Sequence, residues 1–210
     1  MSASSLIILS PEDYLSRRDE IIGVLVNIFG VSKFNIEKRS VFDSLAKTVI
    51  SQQLSNSASN SITKKIITIH GGRRFNPKKF ISLSNDSLRA CGISNNKIKT
   101  IKGIAEACLQ NEITYSALKD MSDEEVLSKL VSFWGVGNWT AEIFMMFCLK
   151  RFDILPLGDA GLNRSHKILY PNAVNLETTA ENWRPYRAIA AGYLWQYLDN
   201  PQIQHKLLKN

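Results

Sequence analysis

Two glycines flanking one valine, an aspartate ahead of a helix, and a polar corner between two apolar helices are the places where this sequence could do chemistry. Gly135 and Gly137 bracket Val136 in FWGVGNWTA, residues 133–141, between two helical patterns. Glycines this close allow a tight turn whose backbone amides stay uncovered, and the helix starting near Asn138 adds the positive end of its dipole. Together these form a seat for phosphate. The same residues also fit an ordinary helix-helix turn. Asp159, in LPLGDAGL (155–162), stands where an N-cap stands. ISQQLS, residues 50–55, places two glutamines and two serines where a helix pattern should bury apolar side chains. Ser51 and Ser55 fit there as helix caps. Core packing accounts for any single tryptophan taken alone, and Trp134 and Trp183 are read as core.

Helical periodicity carries these residues. Ser10 before Pro11 reads as an N-cap leading into Ile21, Ile22, Leu25, Val26 and Ile28, with Gly30 as the stop. Phe42, Leu45, Ala46 and Val49 share one helical face, and Leu54, Ala58, Ile62 and Ile66 continue at a spacing of four, so two helices meet at the polar corner. Further helices are expected around Leu88, over 97–109, from a Ser122–Glu125 capping box to about Phe133, over 138–149, and over 186–198. No stretch alternates with period two for long enough to form a sheet, and DILPL stays ambiguous. The fold class is all-α.

At 210 residues with 44% apolar composition the chain suits a single domain of two small lobes. Lys plus Arg exceed Asp plus Glu by 26 to 19, a net charge of +7, which biases the surface towards polyanions such as nucleic acid or acidic membranes. Cys91, Cys108 and Cys148 are far apart and odd in number, which argues against a disulfide framework or a zinc site and for buried thiols in a reducing compartment. His70, His166 and His205 lack metal-ligand spacing and read as solvated or capping residues. Arg73, Arg74, Lys78, Lys79, Lys97 and Lys99 offer phosphate contacts or a solvated face. Nothing approaches the roughly 20 apolar residues of a membrane span, so an intracellular protein is expected, in a bacterial or archaeal cytoplasm or in a nucleus.

ISQQLS, FWGVGNWTA, LPLGDAGL and WRPYRAIAAGYLW (183–195), in this order along the chain, resemble the helix-hairpin-helix DNA glycosylases, and within them the 3-methyladenine DNA glycosylase II branch. The resemblance spans about residues 36–199. It implies a two-lobed helical fold with the active-site cleft between lobes: a central lobe of 37–135 with the hairpin, and a second lobe of 1–36 plus 136–210. It implies that Asp159 is the catalytic carboxylate, stabilising positive charge on the sugar and orienting or deprotonating water. Amides of Gly135, Gly137 and Thr140 would grip the DNA backbone. Carbonyls of Val131, Phe133 and Val136 would hold a Na+ or K+ ion against the phosphate. Gln53 would fill the gap left by a flipped nucleotide, supported by Gln52 and Ser55.

The resemblance also implies what the chain lacks. Relatives that cut the strand carry a Schiff-base lysine in the second hairpin helix; Trp139 stands at that position, so the implied mechanism is hydrolytic and monofunctional. No C-terminal four-cysteine pattern exists, so no iron-sulfur cluster is expected, nor any cofactor for the chemistry. Trp139 and Trp195 match aromatic positions of the base pocket, where an indole face favours a cationic alkylpurine such as 3-methyladenine or 7-methylguanine. Ile143 and Ala160 stand where some relatives place pocket tyrosines, so ethenoadenine or hypoxanthine remains an alternative lesion. A non-catalytic DNA-binding module would explain the charge and GVG but not LPLGD. The expected partner is damaged double-stranded DNA, bound by a monomer.

Overall fold

A computed structural model of the chain describes residues 9–32 and 40–207, and every regular element among them is a helix. In chain order these are α1 (Pro11–Arg18), α2 (Glu20–Phe29), α3 (Val41–Ser51), α4 (Asn56–His70), α5 (Pro77–Ser82), α6 (Asn85–Ala90), α7 (Asn95–Leu109), α8 (Tyr115–Lys119), α9 (Asp123–Val131), α10 (Asn138–Phe147), α11 (Ala160–Leu169), α12 (Leu176–Ala180), α13 (Arg187–Leu198) and α14 (Pro201–Leu207). Most begin on a short polar side chain that accepts from an amide of the first turn: Ser10, Asp19, Ser40, Ser55, Ser94, Ser122 and Asp159 all do so. Each such cap contributes about 1 kcal/mol. The Ser122–Glu125 capping box is present in full. No helix among the described residues is long and apolar enough to cross a membrane.

The chain divides into two compact units, Glu37–Lys150 and the pair of segments Met1–Ile36 and Arg151–Asn210. The division falls at Lys150, not at 135, because α10 packs on α3 and α9 and therefore stays with the hairpin.

In the unit Glu37–Lys150, α3 is the central element, packed on α4, α7 and α10. Leu45, Ala46, Val49 and Ile50 of α3 are buried with Ile101, Ile104 and Ala105 of α7 and with Ala141, Phe144 and Met145 of α10. Asp43 is buried here as well, its charge met by Lys47 at 2.9 Å and by the amide of Phe75 at 2.9 Å. His70 is buried, not solvated, and its Nε2 accepts from the Asn76 amide at 2.9 Å. Trp134 is also not core: it is 52% exposed.

In the other unit α13 packs on α2 and α11 and is buried on nearly every side, its alanines at 188, 190 and 191 permitting close approach. The single helix expected from Pro11 to Gly30 is two, broken at Asp19. Asp19 caps α2 through Ile22 and also accepts from the Tyr170 hydroxyl at 2.9 Å and the Trp183 indole at 2.7 Å. Those three donors are worth more than one continued helical turn. His166 is buried against this network, stacked on Tyr170 with ring centroids 5.0 Å apart and bonded to Thr179 at 2.8 Å. Burial lowers its pKa, opposed by Asp19. The side chain of His205 lies outside the described residues.

Asp19→Ala should therefore strand a buried indole N–H and a half-buried hydroxyl and remove the α2 cap. Urea unfolding is expected to show a loss of about 2–4 kcal/mol.

Candidate active site

The hairpin between α9 and α10 is built on two glycines with different reasons to be glycine. Gly135 has φ 78°, and a Cβ there would overlap the Thr100 hydroxyl, so both conformation and packing exclude a side chain. Gly137 has an ordinary φ of −97° and nothing within 4 Å of a would-be Cβ. Its bareness serves open space in front of the turn. Between them Val136 is buried and anchors the loop, its amide donating to the Phe133 carbonyl at 3.0 Å.

Gly137 caps α10 with no side-chain hydrogen bond. Among the described residues, the amides of Gly135, Gly137 and Thr140 find no acceptor. Amides left bare at a helix N-terminus suit an anion. The Val131 and Val136 carbonyls likewise accept from no described residue, and that of Phe133 accepts one bond, leaving a lone pair. Such an oxygen set fits a hard monovalent cation.

The polar corner braces this hairpin. Gln52 Nε2 donates to the Gly135 carbonyl at 3.1 Å and to the Thr140 hydroxyl at 2.9 Å. Lys97 in turn donates from Nζ to the carbonyls of Ile50 at 2.8 Å and Gln52 at 2.7 Å. Burial lowers the Lys97 pKa, and the lysine closes the end of α3 instead of facing solvent as a phosphate contact. Gln53 and Leu54 are both exposed, with Gln53 at φ 55° and Leu54 at 40% exposure. Ser55 caps α4 through the Ala58 amide at 3.2 Å.

In the other unit, Leu155 and Pro156 are buried, and the chain turns so that the Asp159 amide donates to the Pro156 carbonyl at 2.9 Å. Asn163 Nδ2 staples the turn through the carbonyls of Leu157 at 2.6 Å and Asp159 at 2.9 Å. The half-buried Asp159 carboxylate takes the Leu162 amide at 2.6 Å and the Trp195 indole N–H at 3.0 Å, both on Oδ1. Asp159 is thus an N-cap and a fixed negative charge at once. Gly161 leaves room for it, since a Cβ there would sit 3.3 Å from Oδ1 and 3.2 Å from Leu198.

Trp195 meets Asp159 through its indole nitrogen, and Trp139 is half-buried in the first turn of α10. Sequence reading missed Asn163, Gly161, Leu54 and the structural bonds of Lys97. The spacing of four assigned Leu54 to the apolar face of the next helix, whereas it lies ahead of α4 and is exposed, and a lysine at the start of a helix does not reveal which carbonyls it meets.

Residues 46–187 match the HhH-GPD superfamily base excision DNA repair protein family. DNA-3-methyladenine glycosylase 1 of Schizosaccharomyces pombe is 32% identical over 88% of this chain and 85% of its own length. The alkylbase DNA glycosidase-like protein mag2 of the same yeast is 34% identical over 79% of this chain and 80% of its own. The structure of the S. pombe 3-methyladenine DNA glycosylase Mag1 in complex with abasic DNA superposes with a TM-score of 0.82 at 30% identity, covering 90% of this chain and 97% of that one. The chain belongs to the HhH-GPD superfamily of base excision DNA repair proteins.

The two glycines should separate in experiment. Gly135→Ala is expected to cost about 1–3 kcal/mol of stability in denaturant titration, from its positive φ and the Thr100 contact. Gly137→Ala should stay within about 0.5 kcal/mol of the parent, yet weaken duplex DNA binding in a fluorescence-anisotropy titration.

Proposed function

We propose that this protein is a monofunctional DNA glycosylase of the 3-methyladenine DNA glycosylase II type, hydrolysing alkylated purines from duplex DNA. The observation that carries this reading is the Asp159 carboxylate, fixed by the Leu162 amide and the Trp195 indole. Loss of a base breaks the C1′–N bond, with the electron pair leaving on the base and positive charge developing on the sugar. A preorganised carboxylate stabilises that charge more than water can, because its orientation cost is met on folding. Water then bonds to C1′ and gives up a proton towards the carboxylate or solvent, leaving an abasic site.

An N3- or N7-alkylpurine is cationic and departs neutral, so one carboxylate suffices without a strong general acid. The same positive charge suits the indole face of Trp139, worth about 0.5–2 kcal/mol. Trp139 also puts no amine at the first turn of α10, so the chemistry is hydrolysis without a Schiff base. Gly135, Gly137 and Thr140 amides take a DNA phosphate, with Na+ or K+ on the Val131, Phe133 and Val136 carbonyls. Gln53 and the neighbouring Leu54 fill the space of the flipped nucleotide, offsetting an unstacking cost of a few kcal/mol. Gln52 and Ser55 hold that corner in shape. No cofactor takes part in the bond-breaking step, and the protein acts as a monomer.

Duplexes each bearing one defined lesion test this directly. Base release is expected from 3-methyladenine and 7-methylguanine, in preference to neutral ethenoadenine or hypoxanthine, with no covalent complex trapped by borohydride. Release of neutral lesions alone would shift the substrate assignment. No release from any lesion would leave only a DNA-binding role.

A further inference from the structure

Beside the hairpin, α7 and the residues leading into Gly135 enclose a groove of about 470 Å3, within the range of sites that hold small ligands. Ile98, Lys99, Lys102, Phe133 and Trp134 are among its lining residues. Lys102 is committed, its Nζ donating to the Leu83 carbonyl at 3.1 Å and to Asn85 at 2.8 Å. Lys99 is not. Its Nζ stands 4.4 Å from the centroid of the Trp134 ring and makes no hydrogen bond or ion pair with any described residue. The Trp134 indole N–H also has no acceptor among the described residues, on a side chain 52% exposed.

An isolated cation-π pair on a surface is worth about 0.5–1 kcal/mol and needs no ligand. Here, however, the pair lines a groove of ligand size, and two uncommitted donors share its wall. Trp134 also directly precedes Gly135, whose amide is bare. We propose that this groove is a second DNA subsite, seating the nucleotide adjacent to the one whose phosphate rests on the hairpin amides. The sugar of that nucleotide lies on Trp134 and Phe133, and its phosphate takes Lys99 Nζ and the Trp134 indole N–H. Positive charge with an aromatic surface is the pairing that tracks a DNA strand, and the groove is continuous in chain with the phosphate seat. The proposal rests on the hairpin being that seat.

The test is equilibrium binding of the full chain to a duplex carrying a tetrahydrofuran abasic-site analogue, repeated across salt concentrations. Lys99→Gln should weaken binding and lower the slope of log K against log salt by about 0.9, the signature of one lost phosphate contact. Lys99→Arg should restore the slope, which a merely structural role of Lys99 would not require. Trp134→Ala should weaken binding about tenfold with the slope nearly unchanged, and Trp134→Phe should recover part of that loss. Parental affinity and slope in both Lys99→Gln and Trp134→Ala would overturn this subsite alone. A parent protein with no measurable affinity for the duplex would overturn it together with the glycosylase reading.

Discussion

Two donors on one carboxylate oxygen fix the charge on which the proposed chemistry depends: the Leu162 amide at 2.6 Å and the Trp195 indole at 3.0 Å from Asp159 Oδ1. They come from different helices, so the position of the charge depends on how α11 and α13 pack. That packing is close because α13 carries alanines at 188, 190 and 191 and because the buried Ser165 hydroxyl of α11 donates to the Leu194 carbonyl at 2.9 Å. A carboxylate held this way costs little reorganisation when a cation forms beside it, which is the basis of electrostatic catalysis.

The hairpin and the polar corner form one hydrogen-bonded assembly. Lys97 holds the end of α3 through two carbonyls, Gln52 carries the constraint to Gly135 and Thr140, and the glycine turn stands on Thr100. Taking an ammonium partly out of water is costly unless its donors are met, and here two carbonyls meet it. Gln53 sits in the left-handed region, which costs a non-glycine residue about 1 kcal/mol, and it is held there by fixed residues on either side. Strain at an exposed tip backed by a committed neighbour fits a segment that pushes into a partner, with Leu54 giving it an apolar end.

Periodicity made the helices legible: the caps at Ser10, Ser122 and Asp159 and the apolar face of α3 follow from local rules and were readable residue by residue. The break at Asp19 was not, because its cause is a pair of donors, Tyr170 and Trp183, far along the chain. The same holds for Lys97, whose role depends on two carbonyls 45 and 47 residues away. Trp134 failed in the opposite direction: an indole between helices looks like core, and only the turn geometry turns it to solvent. At the candidate site, Asp159, Trp195 and the GVG turn were singled out through motif resemblance, whereas Asn163 and Gly161, which hold and admit the carboxylate, carry no signal without coordinates.

The most direct measurement compares the parent with Asp159→Asn on a duplex carrying a single 7-methylguanine, following base release under single turnover alongside binding affinity. Asparagine keeps the shape and an oxygen for Leu162 and Trp195 while removing the charge. A fall in release of about 100-fold or more, with affinity largely retained, is the expected result. Undiminished release would contradict the account at its centre.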